Sequence, residues 1–114
     1  MKLLEVAVTT GGTIVTSDAN ADKKVDYAFA SDLMSDVLTT SVDNLLLITG
    51  LSNLQTIRTA EMSDIYGILL VRGRSASDEM RALASELGIV IIETGYSMFR
   101  SCGLLYNSGL KPLF

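Results

Sequence analysis

The chain has 114 residues, of which 48% are hydrophobic and 19% charged, with a net charge of −4, a pI near 4.6 and a mean hydropathy of +0.37. That length holds one core and is too short for two, so a single domain over residues 1–114 is expected. The acidic balance, with basic residues scattered and Lys23-Lys24 their only adjacent pair, excludes nucleic-acid backbone binding as a main activity and leaves no footprint for an anionic membrane.

No apolar run approaches the roughly 18–20 residues of a membrane span. The amino terminus lacks a signal-peptide pattern, and the lone Cys102 cannot form an internal disulfide, so a reducing, cytoplasmic setting is expected. A small chain this apolar must either cover both faces of a sheet with helices or bury surface against a partner. A homodimer is the expected form.

Residues 1–9 support two readings. Leu3, Leu4, Val6 and Val8 suit a strand by propensity, while Leu3, Val6, Ala7 and Thr10 share one helical face ahead of a Gly11-Gly12 stop. Thr13 to Thr16 reads as a short strand. In the polar stretch Ser17–Lys24, Asp18, Asn20 and Asp22 alternate like the opening of a calcium loop. Lys23 then replaces the glycine that such a loop needs, and Phe29 stands where a carboxylate must close it. A solvated turn is the reading that remains. Val25 to Ala30 follows as a strand with Val25, Tyr27 and Phe29 on one face. Ser31 would then cap a short helix with Leu33, Met34, Val37 and Leu38 inward.

From Asn44 to Leu105 an apolar run ends at a glycine and gives way to a helical pattern three times over. The runs are Leu45–Gly50, Ile65–Gly73 and Ile89–Gly95, with terminal glycines 23 and 22 residues apart, about one strand–helix unit. The first helix spans about Asn53 to Ser63, capped by Ser52 or Asn53, with Leu54, Ile57, Ala60 and Met62 apolar. The second spans about Ala76 to Leu87, with Ser75 and Asp78 spaced as a capping box, Met80, Leu83, Ala84 and Leu87 on one face, and Gly88 after its end. The third, about Ser97 to Asn107, carries Met98, Phe99, Cys102, Leu105 and Tyr106 before Gly109 and Pro112 end regular structure. Alternating elements with continuous apolar strands imply an α/β fold with a mainly parallel sheet covered on both faces. The leucine ladder of a leucine-rich repeat is missing, although the period near 22 fits one.

Right-handed crossovers bring the strand-end glycines to one edge of such a sheet, where ligands bind near helix amino termini. Thr49, Gly50, Ser52, Asn53, Gln55, Arg72, Gly73, Arg74, Ser75, Thr94, Gly95, Tyr96 and Ser97 would gather there. Two arginines beside capped helix starts can hold a phosphate or a carboxylate. The competing account is structural: glycines end strands, Ser and Asn cap helices, and arginines line a wet rim. The chain has no histidine, which removes His-based acid–base catalysis, the Ser-His-Asp triad and the commonest metal ligand. It also has no phosphate-binding loop, no Gly-x-Gly-x-x-Gly and no receiver-type acidic cluster. Glu93 and Cys102 are the residues an enzyme would have to use. Glu93 has no second acid paired by spacing, and Cys102 sits in an apolar helical stripe. No cofactor and no metal are expected.

The run Leu46 to Met62, the run Ile68 to Gly73, the tail Tyr96 to Gly103 and the upstream Ser31 to Val37 together resemble the DRTGG domain family, in particular its small stand-alone members. Related domains occur at the amino end of HPr kinase/phosphorylase, within some phosphotransacetylases and between the CBS domains of certain pyrophosphatases. The resemblance implies a three-layer α/β/α sandwich with about five strands, like the amino-terminal domain of a Mur ligase, and it favours the helix for residues 1–9. It also implies a regulatory or interaction domain, without the kinase activity of its larger relatives, and a partner in a redox system such as that of the iron-only hydrogenases. This chain has Leu51-Ser52 where the family's Asp-Arg would stand, and Val71-Arg72-Gly73 in place of Thr-Gly-Gly. The sequence thus predicts a non-catalytic regulatory domain, sensing a small anionic ligand such as a nucleotide, or else a ligand-free dimeric scaffold.

Overall fold

The computed structural model describes all residues, 1–114. Its elements are α1 (Leu3–Thr9), β1 (Thr13–Ile14), β2 (Tyr27–Ala30), α2 (Met34–Val37), β3 (Leu45–Thr49), α3 (Leu54–Met62), β4 (Gly67–Leu70), α4 (Asp78–Leu87), β5 (Val90–Glu93), α5 (Met98–Asn107) and β6 (Lys111–Pro112). The strands form one sheet in the order β1-β5-β4-β3-β2-β6, parallel throughout except for the antiparallel β1–β5 pair at one edge. The α/β sandwich with a mainly parallel sheet is the architecture expected.

Alternation along the central strands sorts their side chains onto two cores. Leu45, Leu47, Ile68, Leu70 and Ile91 pack with residues of α2, α3 and α4 on one face. Leu46, Ile48, Leu69, Val71, Val90 and Ile92 pack with α1 and α5 on the other. Burial on both sides is why these strands read as unbroken apolar runs.

Residues 1–9 take the helical alternative. Leu3, Val6, Ala7 and Thr10 turn inward, and Leu4 and Val8 face solvent. The first free amides of α1 are satisfied by the following loop, Leu3 N donating to the Lys23 carbonyl (2.9 Å) and Leu4 N to that of Ala21 (3.0 Å). Helix and strand approach closely where Leu3 covers Gly67, since a Cβ at that glycine would collide with the Leu3 side chain. The loop itself is pinned: Asn20 Nδ2 donates to the Gly88 carbonyl (2.8 Å), and Ser17 N donates to Ser85 Oγ (3.1 Å). Asn20, one of the alternating oxygens of the calcium-like stretch, therefore tethers the loop to the end of α4.

Several expectations are corrected. The sheet has six strands, because Lys111–Pro112 pairs with β2; proline is tolerated there because β6 is an edge strand. Val25 lies outside β2 and on the opposite core from Tyr27 and Phe29, held by its amide bond to the Met1 carbonyl (2.7 Å) before the chain turns into the strand. Ser31 does not cap α2: its Oγ accepts from Leu33 N (3.0 Å) in a local turn, and Leu33 occupies the cap position. Leu33 and Leu38, expected inward, are exposed, as are Leu54, Met62, Phe99 and Tyr106 among the apolar positions of α3 and α5. On α3 the inward positions are taken by Thr56 and Thr59 beside Ile57 and Ala60. The second helix of the repeating stretch begins two residues later than expected, with Ser77 rather than Ser75 as its cap.

Candidate ligand-binding edge

The carboxyl ends of β3, β4 and β5 form the edge at which the sequence places a ligand. The connection after β4 leads to α4 on one face, and that after β5 leads to α5 on the other. Adjacent strands whose connections diverge in this way make the topological switch point of an α/β sheet. Here the two connections are stitched together rather than parted. Arg72 N donates to the Tyr96 carbonyl (2.8 Å) and Gly73 N to that of Thr94 (3.0 Å). The edge is consequently a ledge closed by its own backbone, and the more pronounced depressions of the surface lie elsewhere.

Most of the polar residues expected there have structural partners. Thr49, fully buried, donates from Oγ1 to Asp32 Oδ1 (3.0 Å), and the same carboxylate oxygen accepts from Gly50 N (2.7 Å). Ser52 Oγ donates to the Ser75 carbonyl (2.5 Å), which ties the β3–α3 and β4–α4 connections together. Asn53 caps α3 by accepting from Thr56 N (3.1 Å), and Ser97 caps α5 by accepting from Arg100 N (3.1 Å). Thr94, also buried, donates to the Thr10 carbonyl (2.7 Å) and accepts from Tyr96 N (3.1 Å). Gly73 takes a left-handed φ of +71° in the turn beside Arg72, itself at +64°. Gly95 and Gln55 are exposed, and the Gln55 side chain has no protein partner.

The arginines differ. Arg72, Arg74 and Arg100 are exposed, and no carboxylate lies within ion-pair reach of any of them; the four ion pairs of the chain all lie elsewhere. The Arg72 guanidinium lies down on Gly50, with Nη2 only 3.0 Å and Nε 3.3 Å from where a Cβ on that glycine would stand. Arg100 stacks its guanidinium on the Tyr96 ring, 3.7 Å from the centroid. The edge thus presents three arginines outside direct ion pairs, while its two carboxylates, Asp32 and Glu93, are taken up by backbone amides.

Two residues of this edge escaped the sequence reading. Asp32 comes from the far side of β3 in sequence, and nothing local marks its contact with Thr49 and Gly50. Arg100 was legible in principle, because it stands four residues after Tyr96, across the start of α5.

The two residues an enzyme would need are differently placed. Glu93 Oε2 accepts from Ala76 N (2.6 Å), which holds the approach to α4. Cys102 is half-buried on α5, and burial pushes its thiol pKa above the ordinary value of 9.0. At the opposite edge of the sheet one acid is paired: Asp26 accepts from Asn44 Nδ2 (3.0 Å) and pairs with Lys24, and the Asn44 bond first, with Lys24 after it, lowers the Asp26 pKa. No helix is long and apolar enough to cross a membrane.

No protein-family model matches the chain, and no curated protein matches it. A solved structure does: the CBS and DRTGG domains of the regulatory region of Clostridium perfringens pyrophosphatase, crystallised with its activator diadenosine tetraphosphate. The superposition has a TM-score of 0.77 at 16% identity and covers 94% of this chain. The chain spans 46% of that structure's length. The two share a fold, and the likeness is to a region that contains a DRTGG domain.

Proposed function

We propose that residues 1–114 act as a single DRTGG-like regulatory domain, without catalytic activity of its own, that senses a small phosphate-bearing anion at the carboxyl edge of β3–β5. The observation that carries this reading is the unpaired Arg72, laid across Gly50 beside the capped start of α3 and the diverging connections of β4 and β5. A guanidinium that already lies against backbone has less side-chain freedom to lose when a ligand arrives than one extended into solvent. Arg74 and Arg100 add charge to the same edge. The activator complex of the structural neighbour supports a nucleotide as the class to try first. A cytoplasmic protein working beside a redox enzyme, such as an iron-only hydrogenase system, fits the family resemblance.

A thermal-shift series tests this. A ligand at about a hundred times its Kd stabilises the folded state by roughly 2.7 kcal/mol, a readily measured rise in melting temperature. Nucleotides, acyl phosphates and inorganic phosphate are the panel. At least one should raise the melting temperature of the wild type, and Arg72→Ala should remove most of that rise. Silence across the panel would end the sensor reading.

A second reading, a homodimeric scaffold, is favoured by the outer surface of the α1–α5 layer. Val8 is 77% exposed, Tyr106 66% and Phe99 90%, in helices that have no further layer above them. The two surfaces meet at the start of α5, where Phe99 adjoins Arg100.

A further inference from the structure

The anion reading accounts for Arg72 but leaves the Tyr96–Arg100 stack without a role. Tyr96 is fixed from three directions. Its carbonyl accepts from Arg72 N (2.8 Å), its amide donates to Thr94 Oγ1 (3.1 Å), and the hydroxyl end of its ring rests on Gly11. A Cβ at Gly11 would stand 3.0 Å from the phenol oxygen, and the φ of +60° there favours glycine as well. The ring is therefore a rigid support, and the central carbon of the Arg100 guanidinium stands over it, 3.7 Å from the centroid. Arg100 has no acidic partner and is exposed, so its second face meets water.

Planar guanidinium groups stack on the π-faces of nucleobases, and a guanidinium backed by an aromatic ring is already oriented for that contact. The amino edge offers a contrast, with Lys23 over the Tyr66 ring at 3.7 Å. An ammonium group has no plane to offer a base, so that stack has no equivalent use.

We propose that this edge reads a nucleotide rather than a bare anion, with Arg72 on the phosphate and the Arg100 plane, supported by Tyr96, under the base. This deepens the sensor reading and rests on it. Tyr96 joins the two through backbone only: its carbonyl takes the Arg72 amide, and its ring reaches Gly11 on the β1 side. The Arg72 guanidinium lies on Gly50 at the end of β3, so the nucleotide spans the ends of β4 and β5.

Calorimetric titration of the full chain with ATP and with tripolyphosphate, without added metal, separates the two parts. ATP is expected to bind roughly tenfold more tightly than tripolyphosphate, in keeping with the worth of one stacked base. Arg100→Lys keeps the charge and loses the plane, so it should bring the ratio of the two affinities close to one. Arg72→Ala should weaken both probes alike. Equal wild-type affinity for ATP and tripolyphosphate, or an Arg100→Lys variant that keeps the margin, overturns the base platform and leaves the anion reading standing. Failure of the wild type to bind either probe overturns the base platform, and the thermal-shift panel then decides the anion reading. The wild-type comparison decides the matter even if a variant folds poorly.

Discussion

The face of the sheet under α2, α3 and α4 and the face under α1 and α5 are built from alternate residues of the same strands, yet they end differently. On the first, three successive crossover helices close over β2 to β5 and bury Met34, Val37, Ile57, Ala60, Met80 and Ala84. On the second, two helices share six strands. Beyond α5 the sheet stays uncovered, leaving a groove between that helix and the β2–β6 edge lined by Ala28, Ala30, Ile48, Cys102, Leu105, Tyr106 and Leu110. The groove, the exposed Phe99 and the Tyr96–Arg100 stack all belong to α5 or its approach. Both layers leave apolar side chains outward, Leu33, Leu38, Leu54 and Met62 on the first and Val8, Phe99 and Tyr106 on the second, and what sets the second apart is the groove beside α5.

Substitutions matched across the two faces should separate them sharply. Ile57 is fully buried on α3, so Ile57→Ala is expected to cost about 2–5 kcal/mol through lost burial and the cavity left behind, read by urea denaturation. Phe99 is 90% exposed, and Phe99→Ser should change stability by less than about 0.5 kcal/mol at concentrations low enough to dissociate any dimer. At higher concentration, light scattering of the Phe99→Ser, Tyr106→Ser double variant should report a smaller particle than the wild type. A Phe99→Ser cost equal to that of Ile57→Ala would mean that the outer surface of α5 is packed within the monomer, and the contrast between the faces would collapse.

A smaller effect sharpens the boundary of the packed face. Ser77 Oγ accepts from Met80 N (3.1 Å) at the start of α4, whereas Ser75 contributes only its carbonyl, to Ser52. Ser77→Ala should therefore cost about 1 kcal/mol, and Ser75→Ala close to nothing. A melting series on the two variants checks this, and the reverse order would restore the earlier helix start that spacing alone suggests.

That pair also shows where the sequence stops being legible. The sequence Ser75-Ala76-Ser77-Asp78-Glu79 offers two caps; in the structure Ser77 accepts from Met80 N, while Ser75 and Ala76 are tied to Ser52 and Glu93 ahead of the helix. Strands β3, β4 and β5 could be read directly, since burial on both faces leaves a continuous apolar run. The helical stripes were read less well. On α5, Met98, Cys102 and Leu105 face inward at i, i+4 and i+7, and Phe99 and Tyr106, one position further round, are apolar without being core. At the ledge, Gly50 and Arg72 could be named from strand-end position alone. Asp32 could not, because its bonds to Thr49 and Gly50 span 17 and 18 residues and leave no local pattern.

The least costly change, and the most local, concerns Cys102 in the open groove. Desolvation raises its thiol pKa above 9.0, which makes the folded value higher than the unfolded one. A group of that kind stabilises the fold fully below its unfolded pKa, and the contribution is lost as pH rises through the folded value. Stability should accordingly decline with alkaline pH more steeply in the wild type than in Cys102→Ala. Iodoacetamide, which reacts with the thiolate, gives a direct reading. The alkylation rate should rise with pH at a higher midpoint in the native protein than in urea. If a second copy of the chain covers the groove, raising the protein concentration should slow alkylation further, because the thiol would then be shielded as well as desolvated. A native midpoint at or below the unfolded one would show that Cys102 is wetter than its neighbours Ala28, Ala30 and Ile48 imply, and that the open face is less apolar at its centre than at its rim.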